Sequence, residues 1–239
     1  MDRTFIRSEM LIGKDNLQKL KTARVAVFGV GGVGGICAEA LVRSGVGSIA
    51  IIDNDIVDQS NVNRQIIATQ PQVGKQKTQV LKERLHSINP NVKVETFNLF
   101  YLPETANQID ISIFDYIVDA VDTVTAKLQI IKSAKENNVP VISCMGTGGK
   151  LDPTLLKVAT IDKTSVCPLA RVMRRELKEV GITDVKVVYS TEITQNNVEN
   201  DNESEKKGDG KKAPPSMIFV PAVAGLLLAK EVVLDLIKE

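Results

Sequence analysis

The stretch that most constrains this chain is residues 24–55, RVAVFGVGGVGGICAEALVRSGVGSIAIIDND. An apolar run, Arg24–Phe28, ends in Gly29-Val30-Gly31-Gly32-Val33-Gly34. A helix-like run follows, then a second apolar run, Ser48–Ile52, closed by Asp53. Strand, glycine turn, helix, strand and acid in this order make a nucleotide-binding crossover. The reasons are steric and electrostatic. Gly29 permits a sharp turn off the strand, Gly31 lets a phosphate approach the backbone, and Gly34 lets the helix lie close on the sheet. The N–H groups left free at the helix start face the phosphate. Asp53 sits where a carboxylate accepts from a ribose hydroxyl. The plainer alternative is a glycine-rich turn with no ligand.

Strand and helix patterns go on alternating beyond this unit. Residues 1–23 read as a helical lead-in, with Phe5, Ile6, Met10, Leu11, Leu17 and Leu20 at helix-like intervals. Helices are expected over residues 32–44, 74–87 and 124–137, and strands over 92–98, 116–120 and 141–144. The alternation predicts an α/β fold, a Rossmann-like, doubly wound, mostly parallel sheet with helices on both faces. The last third is less regular. Strands over 157–161 and 185–190 flank an amphipathic helix over 168–180, which gives an irregular antiparallel C-terminal part. Residues 196–215 hold five acids and four lysines with almost no apolar residue, and read as a disordered loop. Residues 221–237 return as a helix with Leu226, Val233 and Ile237 on one side, expected to pack on the sheet. The whole, 1–239, is read as a single domain, with a nucleotide-binding core at 24–150 and a substrate-side extension at 151–239.

Composition serves mainly to exclude. Over 239 residues, 43% hydrophobic content is enough for a sizeable core, and a net charge of +1 makes the molecule no general magnet for nucleic acid. Three cysteines without pair spacing argue against a disulfide framework and fit a reducing cytoplasm. No CxxC pair exists, so a tetrathiolate zinc site is excluded. The N-terminus lacks an apolar signal core. The longest uncharged apolar stretch, residues 216–229, is too short for membrane insertion. A soluble, cytoplasmic protein is expected.

The polar loop after the second strand carries Asp53, Asp55, Asn61, Arg64 and Gln65; Gly74 and Lys77 follow, then Asp119 and Asp122 after the strand at Tyr116. These positions lie at the carboxyl edge of a doubly wound sheet, where ligands bind. The glycines, Asp53, Arg64, Lys77 and Asp122 can therefore meet on one nucleotide. Two cations and a carboxylate suit a triphosphate with magnesium better than a dinucleotide.

These motifs, Gly29-x-Gly31-Gly32-x-Gly34, Asp53-x-Asp55, Ser60-Asn61-x-Asn63-Arg64-Gln65, Gly74-x-x-Lys77 and Asp122, fall in the order and spacing of a known family. Over roughly residues 5–160 the chain resembles the ubiquitin-activating-like adenylating superfamily, which includes the activators of ubiquitin-like sulfur carriers. The resemblance implies ATP and Mg²⁺ as cofactors. It implies that Asp53 holds the ribose, that Asn61, Arg64 and Lys77 hold the phosphates, and that Asp122 lies by the magnesium and the α-phosphate. Gln65 and Asp55 belong to the same matched segments. Arg64, Lys77 and Asp122 are the catalytic candidates. Arg7 matches an N-terminal arginine that reaches the partner subunit's ATP in the family, which implies a homodimer.

The second half separates the branches. Sulfur-carrier activators usually carry zinc-binding CxxC pairs, absent here. Gly146-Thr147-Gly148-Gly149-Lys150-Leu151-Asp152-Pro153-Thr154, Lys163-Thr164, Pro168-Leu169 and Tyr189-Ser190-Thr191-Glu192 instead resemble the tRNA threonylcarbamoyladenosine dehydratases. That resemblance implies a tRNA substrate, adenylation of its threonyl carboxylate, and ring closure by an internal nitrogen with loss of AMP. A sulfur-relay protein is a further candidate partner. Three alternatives stand beside this reading. One is activation of a sulfur-carrier protein's C-terminal glycine. Another is an NAD-linked oxidoreductase, which leaves Asn61, Arg64, Lys77 and Asp122 without a job. The third is a nucleotide sensor that does not turn ATP over.

Two features of the second half have competing readings. Cys167 precedes Pro168, which suits the first position of a helix, so its thiol is the candidate nucleophile; small-residue packing is the commoner role of a lone cysteine. Arg171, Arg174, Arg175 and Lys178 fall on one face of the 168–180 helix, opposite Leu169, Val172, Met173 and Leu177. The stripe suits contact with tRNA phosphates or a solvated cationic surface.

Overall fold

The computed structural model describes residues 3–194 and 214–238. Along the chain it forms α1 (Ile6–Ile12), α2 (Lys14–Thr22), β1 (Arg24–Phe28), α3 (Gly34–Ser44), β2 (Ser48–Ile52), α4 (Lys77–Ile88), β3 (Lys93–Phe97), β4 (Tyr116–Asp119), α5 (Val124–Glu136), β5 (Val141–Cys144), β6 (Leu156–Thr160), α6 (Pro168–Glu179), β7 (Lys186–Ser190) and α7 (Phe219–Ile237).

The strands make one seven-stranded sheet in the order β3-β2-β1-β4-β5-β7-β6. All pairs are parallel except β6 with β7. The central strands are continuous apolar runs because both faces are covered. Val25 and Val27 of β1 point into a layer with Cys37, Leu41, Ala224 and Leu228. Ala26 and Phe28 point the other way, toward Ile130, Ile131 and Met173. The chain winds outward from β1 to β3, then returns to add β4 on the other side of β1. Strand order thus reverses between β1 and β4, and the loops leaving their carboxyl ends flank the crevice where such sheets bind ligands.

Four expectations change in detail. The lead-in is broken by Gly13, at φ +84, so only Phe5, Leu17 and Leu20 of its apolar set are buried; Met10 and Leu11 stand 83% and 85% exposed. The glycine-rich helix begins at Gly34, two residues later than its composition suggests, because residues 29–33 form the turn itself. The helix expected from residue 74 begins at Lys77. Gly74, at φ +87, instead donates its N–H to the Val57 carbonyl, and Ile56 bridges Gln76. In α7 the buried stripe is Val220, Ala224, Leu228 and Val232, not the side of Leu226, which is exposed. Gly225 explains the rotation: a Cβ there would lie 2.4 Å from the Val33 carbonyl oxygen. The small face of α7 therefore lies against the start of α3, and Leu226 turns outward. The loop read as disordered at 196–215, with Lys206, Lys207, Lys211 and Lys212, falls outside the described residues except for Pro214 and Pro215.

Candidate active site

The glycine turn fits against the loop after β4. Gly29 takes φ +80, and a Cβ there would lie 2.9 Å from the Ala120 carbonyl oxygen. A Cβ on Gly34 would lie 1.8 Å from the Gly29 carbonyl oxygen, far inside van der Waals contact. The start of α3 is thus pressed onto the strand end, and its Gly35 N–H donates back to the Gly31 carbonyl of the turn at 3.0 Å. Gly34→Ala is expected to destabilise the fold by about 3 kcal/mol or more and to abolish nucleotide binding, since backbone atoms must move. Urea unfolding and ATP titration check it; a stable variant that binds ATP normally would contradict this tight turn.

Asp53 pins the same turn. Its Oδ2 accepts from the Val30 N–H at 2.8 Å and its Oδ1 from the Asp55 N–H at 2.8 Å. Burial pushes its carboxyl above the usual range, against the opposing pull of Lys77 and the two N–H groups. An added hydroxyl donor at the crevice would favour its charged form.

Lys77 is buried, and its Nζ donates to Asp55 Oδ2 at 2.7 Å. Its backbone N–H also donates to the Asp55 carbonyl at 3.0 Å. Asp55 is therefore a holder of the lysine. The antiparallel contact between residues 56–57 and 74–76 brings the lysine back over the strand edge. Arg64 donates to the Ser60 carbonyl at 2.7 Å and to Asn63 Oδ1 at 3.0 Å. Its carbonyl oxygen lies 3.1 Å from where a Gly32 Cβ would be, so the arginine loop borders the glycine turn. Asn61 shapes that loop: its Oδ1 accepts from the Asp58 N–H at 3.3 Å, while the Asp58 side chain caps the same turn. Gln65 lies under Gly31, its Nε2 3.6 Å from a Cβ position there, and its buried Oε1 has no hydrogen-bond partner among the described residues. Asp122 is exposed on the loop after β4. Arg7 is exposed on α1, beside Ile6, Met10 and Leu11, which are also exposed.

Beneath the crevice lies a fully buried pair: Asp119, which the sequence placed at the ligand-binding edge, is instead enclosed with Lys127, which the sequence reading did not single out. Lys127 Nζ is 2.9 Å from Asp119 Oδ2 and donates to the carbonyls of Cys144 at 2.7 Å and Val121 at 3.1 Å. Ser143 donates to the same Asp119 oxygen at 2.5 Å. The network ties the ends of β4 and β5 together. A signal was present: Lys127 falls on the inward face of its helix, with Ala126, Ile130 and Ile131.

The second-half candidates separate. Cys167 precedes α6 and is buried, its Sγ 3.8 Å from a Cβ position on Gly146. Val166 before it takes φ +63, a strained conformation for a β-branched residue. Cys144 is buried too, and burial raises its thiol to about 12, so it is protonated at neutral pH. On α6, Arg174 turns back to donate to Thr164 at 2.7 and 2.8 Å, and Arg175 pairs with Glu176. Arg171 and Lys178 are exposed.

The family model described as the ThiF family matches residues 5–238. The chain belongs to the ThiF family. Within it, this ThiF chain is 42% identical over 241 residues to tRNA threonylcarbamoyladenosine dehydratase of Bacillus subtilis, covering 98% of this chain and 95% of the relative. Crystal structures of the Escherichia coli tRNA N6-threonylcarbamoyladenosine dehydratase in complex with ATP and with AMP each superpose with TM-score 0.88 and 32% identity. Each match covers 98% of this chain, and 93% and 94% of the respective structures. Among the described residues no helix is long and apolar enough to cross a membrane.

Proposed function

We propose that this ThiF-family chain, as a single adenylating domain, activates the threonylcarbamoyl carboxylate of N6-threonylcarbamoyladenosine in tRNA with ATP and then closes it to the cyclic form. The observation that carries the reading is the extent of the likeness to the dehydratases. It runs through 98% of the chain, so it includes the second half as well as the nucleotide crevice.

The chemistry follows from charge. A carboxylate oxygen of the substrate attacks the α-phosphorus of ATP, the bond from that phosphorus to the bridging oxygen breaks, and pyrophosphate leaves. Negative charge grows on the equatorial and leaving oxygens, and the guanidinium of Arg64 and the ammonium of Lys77 meet it there. Asp53 accepts from the ribose, and the orphan oxygen of Gln65 offers a further acceptor beside the turn. A nitrogen of the same modification then attacks the acyl carbon of the mixed anhydride, and AMP departs. The net change is loss of one water from the nucleoside. Ring closure within one molecule needs no protein nucleophile, which agrees with the enclosed positions of Cys144 and Cys167.

Among the described residues no cluster of three metal-ligating side chains exists. Magnesium would therefore enter with the nucleotide's phosphates and meet the single carboxylate of Asp122, where it would offset phosphate charge. No step transfers sulfur, so a sulfur-relay protein would act only as an accessory partner. Arg171 and Lys178 are the members of the α6 stripe best placed to meet tRNA phosphates. Three unpaired cysteines fit the cytoplasm.

The experiment is direct: incubate the protein with ATP, Mg²⁺ and modified tRNA, then digest and weigh the nucleosides. The reading expects loss of one water from threonylcarbamoyladenosine, with AMP and pyrophosphate released. An unchanged nucleoside mass overturns it.

The exposed Arg7 and apolar surface of α1 support a homodimer in which Arg7 completes the partner's crevice. Arg7→Ala and Arg64→Ala proteins, each nearly inactive, are then expected to regain activity when mixed and reassembled, because each mixed dimer holds one intact site. Absence of any recovery in verified mixed dimers would place Arg7 outside the neighbouring site.

A further inference from the structure

We propose that the Lys150 ammonium receives the free carboxylate of the substrate before that carboxylate is adenylated. The inference deepens the function proposed above and rests on it.

Lys150 closes the Gly146-Thr147-Gly148-Gly149 turn that leaves the carboxyl end of β5. It is only 3% exposed. An ammonium carries three donors, yet the one hydrogen bond of Lys150 among the described residues runs from Nζ to the Gly146 carbonyl at 2.8 Å. Buried charges are nearly always paired. The other two buried lysines among the described residues obey this: Lys77 holds Asp55 and Lys127 holds Asp119. No described carboxylate pairs with Lys150, so its charge and two donors await an anion.

Its position selects which anion. Asp119 pairs in register with Ser143 across β4 and β5, and Lys127 fastens the two strand ends. The turn holding Lys150 therefore lies beside the loop that carries Asp122. A second link joins it to the arginine loop. The Gly149 N–H donates to the Pro215 carbonyl at 2.7 Å, and Asn63 Nδ2 donates to the carbonyl of the next residue, Ser216, at 2.9 Å. Consecutive Cα atoms are about 3.8 Å apart, so residues 149 and 63, the chain neighbours of Lys150 and Arg64, stand on opposite sides of one narrow strap. Arg64 and Lys77 answer the phosphates from the β1–β2 side. Lys150 closes the turn on the β5 side of the crevice, the side left for the attacking carboxylate to approach the α-phosphorus.

The test uses full-length protein loaded with an ATP analogue whose α–β bridging oxygen is replaced by a methylene, so that the carboxylate cannot be adenylated. Binding is measured for modified tRNA bearing the free threonyl carboxylate and for the same tRNA with that group capped as a carboxamide. Wild type is expected to prefer the acid by about ten- to hundred-fold, the usual worth of a charge-assisted contact. Lys150→Gln, which can still donate to the Gly146 carbonyl, is expected to bind both tRNAs alike while its affinity for ATP and its melting temperature stay near wild type. Lys150→Arg is expected to keep the preference for the acid. A glutamine variant that still prefers the acid overturns the inference and leaves Lys150 as a pin for its turn. So does a wild-type protein that cyclises modified tRNA but binds acid and amide equally, and in that case the proposed function stands. A wild-type protein that cyclises nothing overturns the function and the inference together.

Discussion

Replacing Lys77 with methionine is expected to slow formation of the acyl-adenylate by about 10²- to 10³-fold, the usual effect of removing one donor aimed at developing charge. The melting temperature should scarcely move. Lys77 is buried, and methionine fills nearly the same volume, while its partner Asp55 is exposed and can take water in place of the ammonium. The loss should appear in single-turnover release of AMP, with tRNA affinity nearly unchanged, because the role proposed for the lysine is to meet the phosphates. Asp55→Asn should show a smaller fall of the same kind, since Asp55 holds the ammonium and the Lys77 N–H still bonds the residue 55 carbonyl. A Lys77→Met protein within about tenfold of wild type would remove the lysine from the phosphate clamp.

Lys127→Ala is expected to destabilise the protein by about 3–5 kcal/mol, because it leaves the Asp119 carboxylate buried without its cation. Asp119 and Lys127 are both wholly enclosed. The alanine also frees the carbonyls of Val121 and Cys144, which the ammonium now joins. Replacing both charges, Asp119→Asn with Lys127→Met, should recover much of the loss, since no bare charge then remains. Urea unfolding of the two single variants and the double variant gives the coupling. Strictly additive effects would mean that the two groups do not act as a pair. Because this network anchors the loops of both Asp122 and Lys150, the alanine variant should also lose activity before it loses its helices.

The central architecture was readable in the sequence for a simple reason. Parallel strands covered on both faces appear as unbroken apolar runs, and Arg24–Phe28, Ser48–Ile52 and Val141–Cys144 stand between helices and glycine turns that mark their ends. The glycine turn was readable because Gly29 and Gly34 answer local steric demands, and Asp53, at the end of its strand, bonds the N–H groups of Val30 and Asp55. What was not readable depended on contacts between distant segments. The outward turn of Leu226 follows from the close approach of Gly225 to Val33. The late start of α4 follows from pairing of residues 74–76 with 56–57. The inward turn of Arg174 follows from the carbonyl of Thr164, and that Lys150 meets the Gly146 carbonyl but no described carboxylate becomes visible only when its neighbours are known. Periodicity gives the face of a helix, but not what meets that face.

The central claim is that the substrate carboxylate attacks the α-phosphorus of ATP, held from one side by Arg64 and Lys77. It is tested most directly by labelling both carboxylate oxygens of the threonylcarbamoyl group with oxygen-18 and weighing the products. The account predicts that one labelled oxygen leaves in the phosphate of AMP while the other stays in the cyclic nucleoside. Label found in inorganic phosphate, or AMP formed without any, would contradict it.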